Sequence, residues 1–568
     1  MPMIKISENQ LDIPSNIALA DPSYGIPGKI DVLLGASIFW ELMCNRQIRR
    51  MKNSPVFQET LLGWIISGSI YTNNRKQREE AYCGISINNE LHKQLEKFWE
   101  IEEVELPVHR SDEEIQCEEH FVSTHSRSKD GRFVVQLPLK KNREKLGESF
   151  DIAEKRLKAL ERKLERQPEL KEHYHEFIME YLKLGHMTEI QPDERHAKPA
   201  YYIPHHAVVK EESTTTRVRV VFDASCKTSS GKSLNDILMV GPTIQENLMD
   251  IIIRLRQYKY AMAADIAKMY RQVKLKKEDR KLQRILWRWD RKKPIQIFEL
   301  NTITYGMASS PFLAIRCLQE AAQQMEYKYK DASEVIRRDF YVDDLLTGAD
   351  TVKALIQLKQ EITCILDSSK FELRKWISNV PEIGDQMGNR EKEVTLSESI
   401  KILGLWWNPT ADNFQYRIKI NNNETKITKR NILARVAQVY DPLGLVGPIV
   451  VQIKILIQRL WQSKCTWDEE VTNDIKNMWI QWKSQILSVE ELLIPRRIIC
   501  DNPVEIELHG FCDASESAYG ACIYLRSTNS RSEYTVRLLC AKSRVAPRYH
   551  YQKGIITKIG AMRSGAIS

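Results

Sequence analysis

Two adjacent carboxylates stand in the tetrapeptide Tyr341-Val342-Asp343-Asp344, with apolar residues on both sides. This order predicts a strand, a tight turn and a second strand, with both acids at the turn. Neighbouring carboxylates repel each other unless a cation lies between them. A divalent-metal site is therefore one interpretation, and a solvent-exposed hairpin without a catalytic role is the other.

A third carboxylate, Asp265, follows the apolar run 260–264, which predicts a buried strand that ends in an acid. If this strand lies beside the hairpin, Asp265, Asp343 and Asp344 form the two-metal site of nucleotidyl transfer. In such a site one ion activates the attacking hydroxyl and the other stabilises the leaving pyrophosphate. Asp265 taken alone is equally compatible with the N-cap of a helix.

The size and charge of the chain set the frame for these acids. Its 568 residues are too many for one hydrophobic core and predict three or four domains. The net charge of +9 permits a nucleic-acid partner without establishing one, because the charge must also be concentrated on one face. The 11 cysteines include no Cys-x-x-Cys pair, so we expect free thiols in a reducing compartment rather than a zinc ribbon.

Neither a secretory signal nor a membrane span is expected. The first ten residues lack the apolar core of a signal peptide. The longest apolar stretch, 443–460, is interrupted by polar residues at 452, 454, 458 and 459. It predicts a buried helix behind a turn rich in proline and glycine.

Hydrophobic periodicity outlines the elements that must position the acids. Strands are predicted at 31–35 and 61–68, a helix near 91–100, and a hairpin of 123–129 with 132–139 around Asp130-Gly131. Two helices are predicted between 149 and 184, the second beginning at Pro168 and ending before Gly185. An α+β region at 198–410, a helical region at 425–500 and strands at 504–509, 520–526 and 534–541 follow.

Seven segments occur in order between residues 200 and 407. They are AYYIPHHAV at 200–208, RVRVVFDAS at 217–225, ADIAKMYRQ at 264–272, TYGMASSPF at 304–312, YVDD at 341–344, FELRKWISN at 371–379 and ILGLWW at 402–407. Together they resemble the polymerase region of LTR retrotransposons, and most closely the BEL/Pao group. Such an ordered series makes coincidence negligible.

The resemblance implies roles for the acidic residues and their neighbours. Asp265, Asp343 and Asp344 would be the catalytic carboxylates and would hold two Mg²⁺ ions. Lys375 would donate a proton to the leaving pyrophosphate, and Tyr341 would belong to the substrate-binding set. A solvated helix end remains an alternative for Lys375.

The resemblance also implies a nucleotide-binding surface. Arg219 would clamp the triphosphate, since a planar fork suits phosphate oxygens, although a surface strand residue is the plainer interpretation. Tyr270 would lie under the sugar and exclude a 2′-hydroxyl. Gly306 and Pro311 would shape the backbone near the nucleotide, and Tyr305 stands where the family usually has phenylalanine.

Two other patterns have competing interpretations. The pair His205-His206 suggests a metal, but no third ligand stands at a suitable spacing, so a packing role is favoured. The basic segment 271–293, which includes Trp287 and Trp289, is compatible with binding a phosphate backbone and equally with an ordinary solvated face.

Both flanks resemble partial domains of the same polyproteins. Segments 31–36 and 59–68 resemble the second half of a retroviral-type aspartic protease, but neither Asp12 nor Asp21 begins the Asp-Thr-Gly or Asp-Ser-Gly turn that catalysis needs. Segments 510–515 and 518–521 resemble the first strands of ribonuclease H, with Asp513 as its first metal ligand. Since 541–568 contains no Asp or Glu, a frameshift or truncation near 548 is expected, without ribonuclease H activity.

Residues 440–444 mark a helical connection, where Asp441 is expected to form a turn rather than to act in catalysis. The predicted fold is a multidomain α+β chain built around a right-hand polymerase core. Its expected parts are a protease remnant at 1–75, a linker at 76–120, fingers and palm at 121–410, the connection at 411–502, and a truncated ribonuclease H-like domain with an aberrant tail at 503–568.

The predicted function is that of an RNA-directed DNA polymerase of a retrotransposon, acting on a primed RNA or DNA template and dNTPs. The alternative is a decayed fragment that binds nucleic acid without catalysis. An active peptidase would require an Asp-Thr-Gly turn upstream in a parent polyprotein. We expect the chain in the cytoplasm or in element particles, with nuclear access for integration and no membrane partner.

Overall fold

The computed structural model describes residues 13–14, 17–21, 42–48, 56–67, 110–140, 146–190, 199–209, 218–384, 399–418, 426–463 and 465–546. The predicted strand at 31–35, the helix near 91–100 and the tail after 548 lie outside the described residues. The chain divides into two compact units, 1–93 and 94–568. The predicted domain boundaries within them stay predictions.

The first unit contains a three-stranded antiparallel sheet of β1 (Met43–Ile48), β2 (Val56–Thr60) and β3 (Gly63–Ser67). The predicted strand at 61–68 was wrong at its start, because Leu61 and Leu62 form the turn between β2 and β3 and are 70% and 65% exposed. Thr60 stabilises this turn, since its hydroxyl donates to the Gly63 carbonyl at 2.6 Å.

The second unit mixes helices and strands. Its helices are α1 (Asp112–Thr124), α2 (Phe150–Arg166), α3 (Pro168–Lys183), α4 (Leu234–Ile237), α5 (Leu248–Gln257), α6 (Met269–Gln272), α7 (Lys277–Arg280), α8 (Ser310–Met325), α9 (Lys330–Arg338), α10 (Val352–Asp367), α11 (Lys429–Val436), α12 (Gly447–Gln462) and α13 (Asn473–Leu487). A 3₁₀ turn at Ser488–Glu491 follows α13.

The strands of this unit form several small sheets. They are β4 (Ser126–Arg127), β5 (Phe133–Val135), β6 (Met187–Glu189), β7 (His205–Val209), β8 (Val218–Phe222), β9 (Tyr260–Ile266), β10 (Lys274–Leu275), β11 (Arg284–Trp287), β12 (Gln296–Leu300), β13 (Phe340–Tyr341), β14 (Asp344–Ala349), β15 (Leu373–Ser378), β16 (Ile400–Ile402), β17 (Leu405–Asn408), β18 (Asn413–Gln415), β19 (Ile494–Pro495), β20 (Pro503–Ala514), β21 (Ala518–Asn529) and β22 (Tyr534–Val545).

The sheet that carries the predicted acids has the order β13-β14-β9-β15, and we call it the central sheet. Its strand β9 is buried on both faces. Ala261 and Ala263 pack with α5, whereas Met262 and Ala264 belong to the large core that also contains residues of α10. Alternate residues of a strand point to opposite faces, so the apolar run 260–264 is explained by helices on both sides.

Several predicted elements are confirmed. Helices α2 and α3 match the predicted pair, with Pro168 in the first turn of α3 and Gly185 in the left-handed conformation after it. The predicted hairpin at 123–139 is shorter, because Ser123 and Thr124 continue α1, and only β4 and β5 pair around the Asp130-Gly131 turn.

The rest of the second unit is built on a helical layer and two further sheets. The predicted buried helix is α12, which contributes Ile453, Leu456 and Leu460 to a core shared with α13. Asp441 precedes it as a turn former, accepting from the Leu445 backbone N–H at 2.9 Å. In the described residues, no helix is both long and apolar enough to cross a bilayer.

Strands β20, β21 and β22 form an antiparallel sheet in that order, which we call the C-terminal sheet. Each strand has 12 residues and is longer than predicted. A second sheet, β16-β17-β18-β19, takes strands from both sides of the predicted boundary at 410.

Candidate active site

Strand pairing brings the first and third predicted acids together. Strands β9 and β14 are antiparallel, and Asp265 is directly opposite Asp344. Side chains that face each other across such a pair project from the same face of the sheet. The Ile266 backbone N–H also donates to the Asp343 carbonyl at 2.8 Å, which fixes the hairpin against β9. Asp265 lies inside a strand, so its interpretation as a helix N-cap was wrong.

The hairpin between β13 and β14 turns through Val342 and Asp343, and Tyr341 is paired with Asp344. Val342 has φ of 59°, a left-handed conformation that is rare for a β-branched residue. Such a conformation costs about 1–3 kcal/mol and persists only where the surroundings impose it. The turn therefore holds Asp343 at the tip, beside the pair formed by Asp265 and Asp344.

The surroundings of the two hairpin acids favour their neutral forms. Burial raises the pKa of Asp344 to about 6, and the charges of Asp343 and Asp265 add to this shift. The pKa of Asp343 is also raised, first by burial and then by Asp265, whereas Lys375 and Arg219 oppose the shift. Asp343 is accessible to water at the turn, yet protein atoms surround it closely enough to desolvate its carboxylate. A bound cation would relieve this repulsion.

Asp265 is held by two cationic side chains of β15. Its Oδ2 lies 3.0 Å from Lys375 Nζ, and its Oδ1 lies 3.4 Å from Arg374 Nε. Lys375 has φ of 54°, and the pairing of β15 with β9 is irregular between Arg374 and Ile377. A bulge of this kind re-aims side chains. Lys375 is therefore a strand residue directed at Asp265, and the alternative of a helix end was wrong.

The acids suit a hard divalent cation in their chemistry, since carboxylate oxygens are the ligands that Mg²⁺ prefers. Asp265 Oδ1 is buried and accepts no hydrogen bond from the described residues, so it retains a free lone pair. In the described part of the chain, however, no three His, Cys, Asp or Glu side chains converge into a ready-made metal cage. The donor set fits, and its closure around an ion would require side-chain movement.

An aromatic pair borders these acids. Tyr270 on α6 and Tyr305 pack edge to face, with ring centroids 5.0 Å apart. Burial raises the pKa of Tyr270 to about 12, and the negative charge of Asp343 contributes. Tyr305 is 40% exposed. The Tyr270 ring is therefore close to the acids, and Tyr305 faces the open side.

Sequence reasoning missed the residue that orients α6. Lys268 and Arg271 both form ion pairs with Glu180 on α3, at 2.5 and 2.8 Å. Arg271 also donates to His186 Nδ1 at 2.7 Å. Glu180 has no local motif that marks it, because its partners lie far along the chain.

The segment that carries Tyr305 requires glycine at its next position. Gly306 has φ of 85°, and a Cβ there would lie 1.9 Å from the Phe222 carbonyl oxygen. Pro311 stands in the first turn of α8, where its fixed φ suits a helix start. Asn235 contacts the same segment through its side chain and was also missed. The string Ser233-Leu234-Asn235-Asp236 signals a capped helix, which α4 is, but not this contact.

Arg219 lies on β8 with its side chain exposed. It forms no ion pair with any residue that the structure describes, and its positive charge lowers the pKa of Asp343. An exposed guanidinium near an acidic cluster is available to an anion, while the plainer interpretation of a surface strand residue describes the same geometry.

The two competing patterns are decided toward packing. His205 is buried against Trp287 and is hydrogen-bonded to the Tyr174 hydroxyl and, through Nε2, to the Leu286 carbonyl. In the basic segment, Arg271, Lys274, Arg284, Arg288 and Arg291 each form an ion pair with a carboxylate of the protein. Trp287 is buried, so the segment stabilises the fold more than it offers free charge.

Asp513 lies on β20, opposite Gly520, with an exposed side chain. Its Oδ1 accepts from the Ala514 backbone N–H at 2.8 Å. Within the described residues no metal-binding cluster surrounds it.

Comparisons with known proteins agree with this layout. Residues 208–376 match the family model for reverse transcriptase (RNA-dependent DNA polymerase), and residues 428–556 match that for the Pao retrotransposon-like RNaseH-like domain. The second unit therefore contains a reverse transcriptase domain followed by an RNaseH-like domain. This pairing is consistent with a polyprotein of the BEL/Pao type and confirms the predicted resemblance and fold class.

Individual relatives are distant. An enzymatic polyprotein of Cassava vein mosaic virus is 22% identical over 376 residues, which is 65% of this chain and 50% of the relative. The chain thus spans about half the length of that relative. A solved foamy viral protease-reverse transcriptase in complex with double-stranded DNA has a TM-score of 0.43 and 14% identity, covering 64% of this chain and 54% of its own. That likeness is too weak to support an argument about function.

Proposed function

We propose that the chain is an RNA-directed DNA polymerase that joins dNTPs to the 3′-hydroxyl of a primer on an RNA or DNA template. The observation that carries the proposal is the register of β9 and β14, which places Asp265 opposite Asp344 beside Asp343. This register occurs within the segment that matches the reverse transcriptase family. The primer hydroxyl attacks the α-phosphate, and pyrophosphate leaves.

The three acids would hold two Mg²⁺ ions. When bound, such ions activate the hydroxyl and stabilise the leaving pyrophosphate. Asp343 and Asp344 have raised pKa values without a cation, so their ionised forms are primed to gain from one. Lys375, 3.0 Å from Asp265, is the nearest side chain that could donate a proton to pyrophosphate.

The other predicted residues would bind the nucleotide. Arg219 lacks an ion-pair partner among the described residues, which suits a clamp on the triphosphate. Tyr270 would lie under the sugar and favour deoxynucleotides, and Tyr305 would border the same pocket. Gly306 and Pro311 would shape its backbone.

The flanking regions would contribute no catalysis of their own. Asp513 stands exposed without a metal-binding cluster among the described residues, which supports an inactive ribonuclease H remnant. The protease segment at 31–36 lies outside the described residues, and its inactivity rests on the missing catalytic turn. The polymerase would act in the cytoplasm or in element particles, with nuclear access for integration.

The direct test is primer extension on an RNA template with Mg²⁺ and dNTPs. Asp343→Asn keeps the size of the side chain and removes its charge, so we expect activity to fall by at least about 10³-fold, the scale of losing a main electrostatic contributor. Asp367→Asn, at the exposed end of α10, is the matched control and should retain wild-type activity. Equal activity of wild type and Asp343→Asn would refute the proposal.

The rival, a decayed fragment that only binds nucleic acid, is separated by measuring binding over a range of salt concentrations beside extension. Binding through phosphates weakens as salt increases and needs no intact acids. Salt-dependent binding without any extension by the wild-type protein would favour the rival.

A further inference from the structure

We propose that Asn235 is a positioning residue for the polymerase reaction, fixing the segment 305–308 against which the incoming nucleotide binds. This inference rests on the proposed function and extends it to a residue outside the seven motifs. Its basis is a set of hydrogen bonds between α4 and that segment.

The Asn235 amide contacts the segment at two points. Its Nδ2 donates to the Gly306 carbonyl, and its Oδ1 accepts from the Ala308 backbone N–H, both at 2.9 Å. A carbonyl can only accept and an amide N–H can only donate, so these partners determine which side-chain atom is nitrogen. One planar side chain thus spans the residues on both sides of Met307.

The support behind Asn235 is rigid. Helix α4 begins with a capping box formed by Ser233 and Asp236, and Leu234 and Ile237 are buried in the core. Asp236 also pairs with Lys227 at 2.6 Å. The amide is therefore presented from a pinned element, as a precise site requires.

The segment it holds is otherwise under constraint. Gly306 adopts a left-handed conformation and lies close to the Phe222 carbonyl on β8, the strand that carries Arg219. Tyr305 packs on Tyr270, next to the acids. Loss of the two hydrogen bonds would release Tyr305 and the nearby backbone while leaving the acids and their strand pairing in place.

The expected kinetic effect follows from this separation. Asn235→Ala should raise the KM for dNTP about tenfold, equivalent to about 1.4 kcal/mol, with kcat changed less than threefold. A rise in KM at constant kcat indicates lost binding that is common to substrate and transition state. Hydrogen–deuterium exchange should show the Ala308 amide exchanging about tenfold faster, because its acceptor has been removed.

Asn235→Asp serves as a second variant of the same shape. Its carboxylate still accepts from the Ala308 N–H but cannot donate to the Gly306 carbonyl when ionised. We expect the KM to rise while the Ala308 amide stays protected, which assigns the kinetic effect to the Gly306 contact.

Asn379 provides a matched control at the other end of β9. Its side chain also makes two backbone hydrogen bonds, accepting from the Ala261 N–H at 2.9 Å and donating to the Lys259 carbonyl at 3.1 Å. Asn379→Ala should lower the melting temperature without raising the KM for dNTP. If both alanine variants lose kcat and KM alike, the effect is general destabilisation and the inference is overturned.

Two further outcomes are distinguishable. Active wild type with an unchanged KM, within twofold, in Asn235→Ala overturns the positioning role and leaves the polymerase proposal intact. An inactive wild-type protein refutes the polymerase proposal, and the positioning role falls with it.

Discussion

The central sheet and the C-terminal sheet both carry aspartate at a strand end, but their surroundings differ. In the central sheet, β9 is buried on both faces, and Asp265 meets Asp344, Lys375 and Arg374. In the C-terminal sheet, β20 is exposed along almost its whole length, and Asp513 pairs with no cation among the described residues. A strand-end acid becomes a candidate site only where neighbouring strands bring other charged groups to it.

The packing of the two sheets follows the same division. Leu345, beside Asp344, is 0% exposed, whereas Leu508 on β20 is 61% exposed. Burial from both sides excludes water and strengthens the interactions among the acids. The C-terminal sheet lacks that enclosure among the described residues, so its single acid keeps an ordinary solvated environment.

Truncating one leucine in each sheet should produce the largest difference. Leu345→Ala removes a fully buried side chain and should lower the free energy of unfolding by about 2–5 kcal/mol. Leu508→Ala changes an exposed position and should cost less than about 0.5 kcal/mol. Chemical denaturation followed by tryptophan fluorescence measures both. Similar losses in the two variants would show that the sheets are equally enclosed.

The second prediction concerns acid stability near the central sheet. Burial lowers the pKa of His205 from its usual value near 6.5 to about 4. The folded state therefore holds this imidazole neutral, and the unfolded state binds the extra proton as pH falls below about 6.5. The stability it contributes is full above that pH and is lost as pH falls toward 4, by about 3 kcal/mol.

His186 has the same shift, to about 4, first from burial and then from Arg271. His205→Gln should consequently remove about half of the acid destabilisation between pH 7.5 and 5, measured by denaturation at each pH. His509→Gln, on the exposed β20, is the control and should leave the dependence intact. An unchanged dependence in His205→Gln would refute the assignment.

The smallest expected effect comes from a pair of strand glycines. A Cβ at Gly348 of β14 would lie 2.4 Å from the Tyr260 carbonyl oxygen, whereas nothing lies within 4 Å of one at Gly510 of β20. Gly348→Ala should lower the free energy of unfolding by about 1–3 kcal/mol. Gly510→Ala should be neutral or stabilising by up to about 1 kcal/mol, since alanine loses less entropy in a strand. The melting temperatures should move in opposite directions, and a common shift would contradict the comparison.

Local patterns were sufficient for the helices and for the strand that carries Asp265. The apolar run before it, and the Pro168 and Gly185 signals around α3, are determined by neighbours in the chain. The turn at Leu61 and Leu62 was misread because two leucines in a row imitate a buried strand. The hairpin after α1 was drawn too long for a similar reason, since helix periodicity continued into its first residues.

The sequence by itself determined which residue types are available and in what order, including the three acids, Arg219 and Tyr270. Only the tertiary structure decided that Asp265 is opposite Asp344, that a bulge directs Lys375 to Asp265, and that Asn235 holds a segment 71 residues away. These contacts join residues far apart in the chain. Their register depends on how strands and helices pack together, which no local pattern contains.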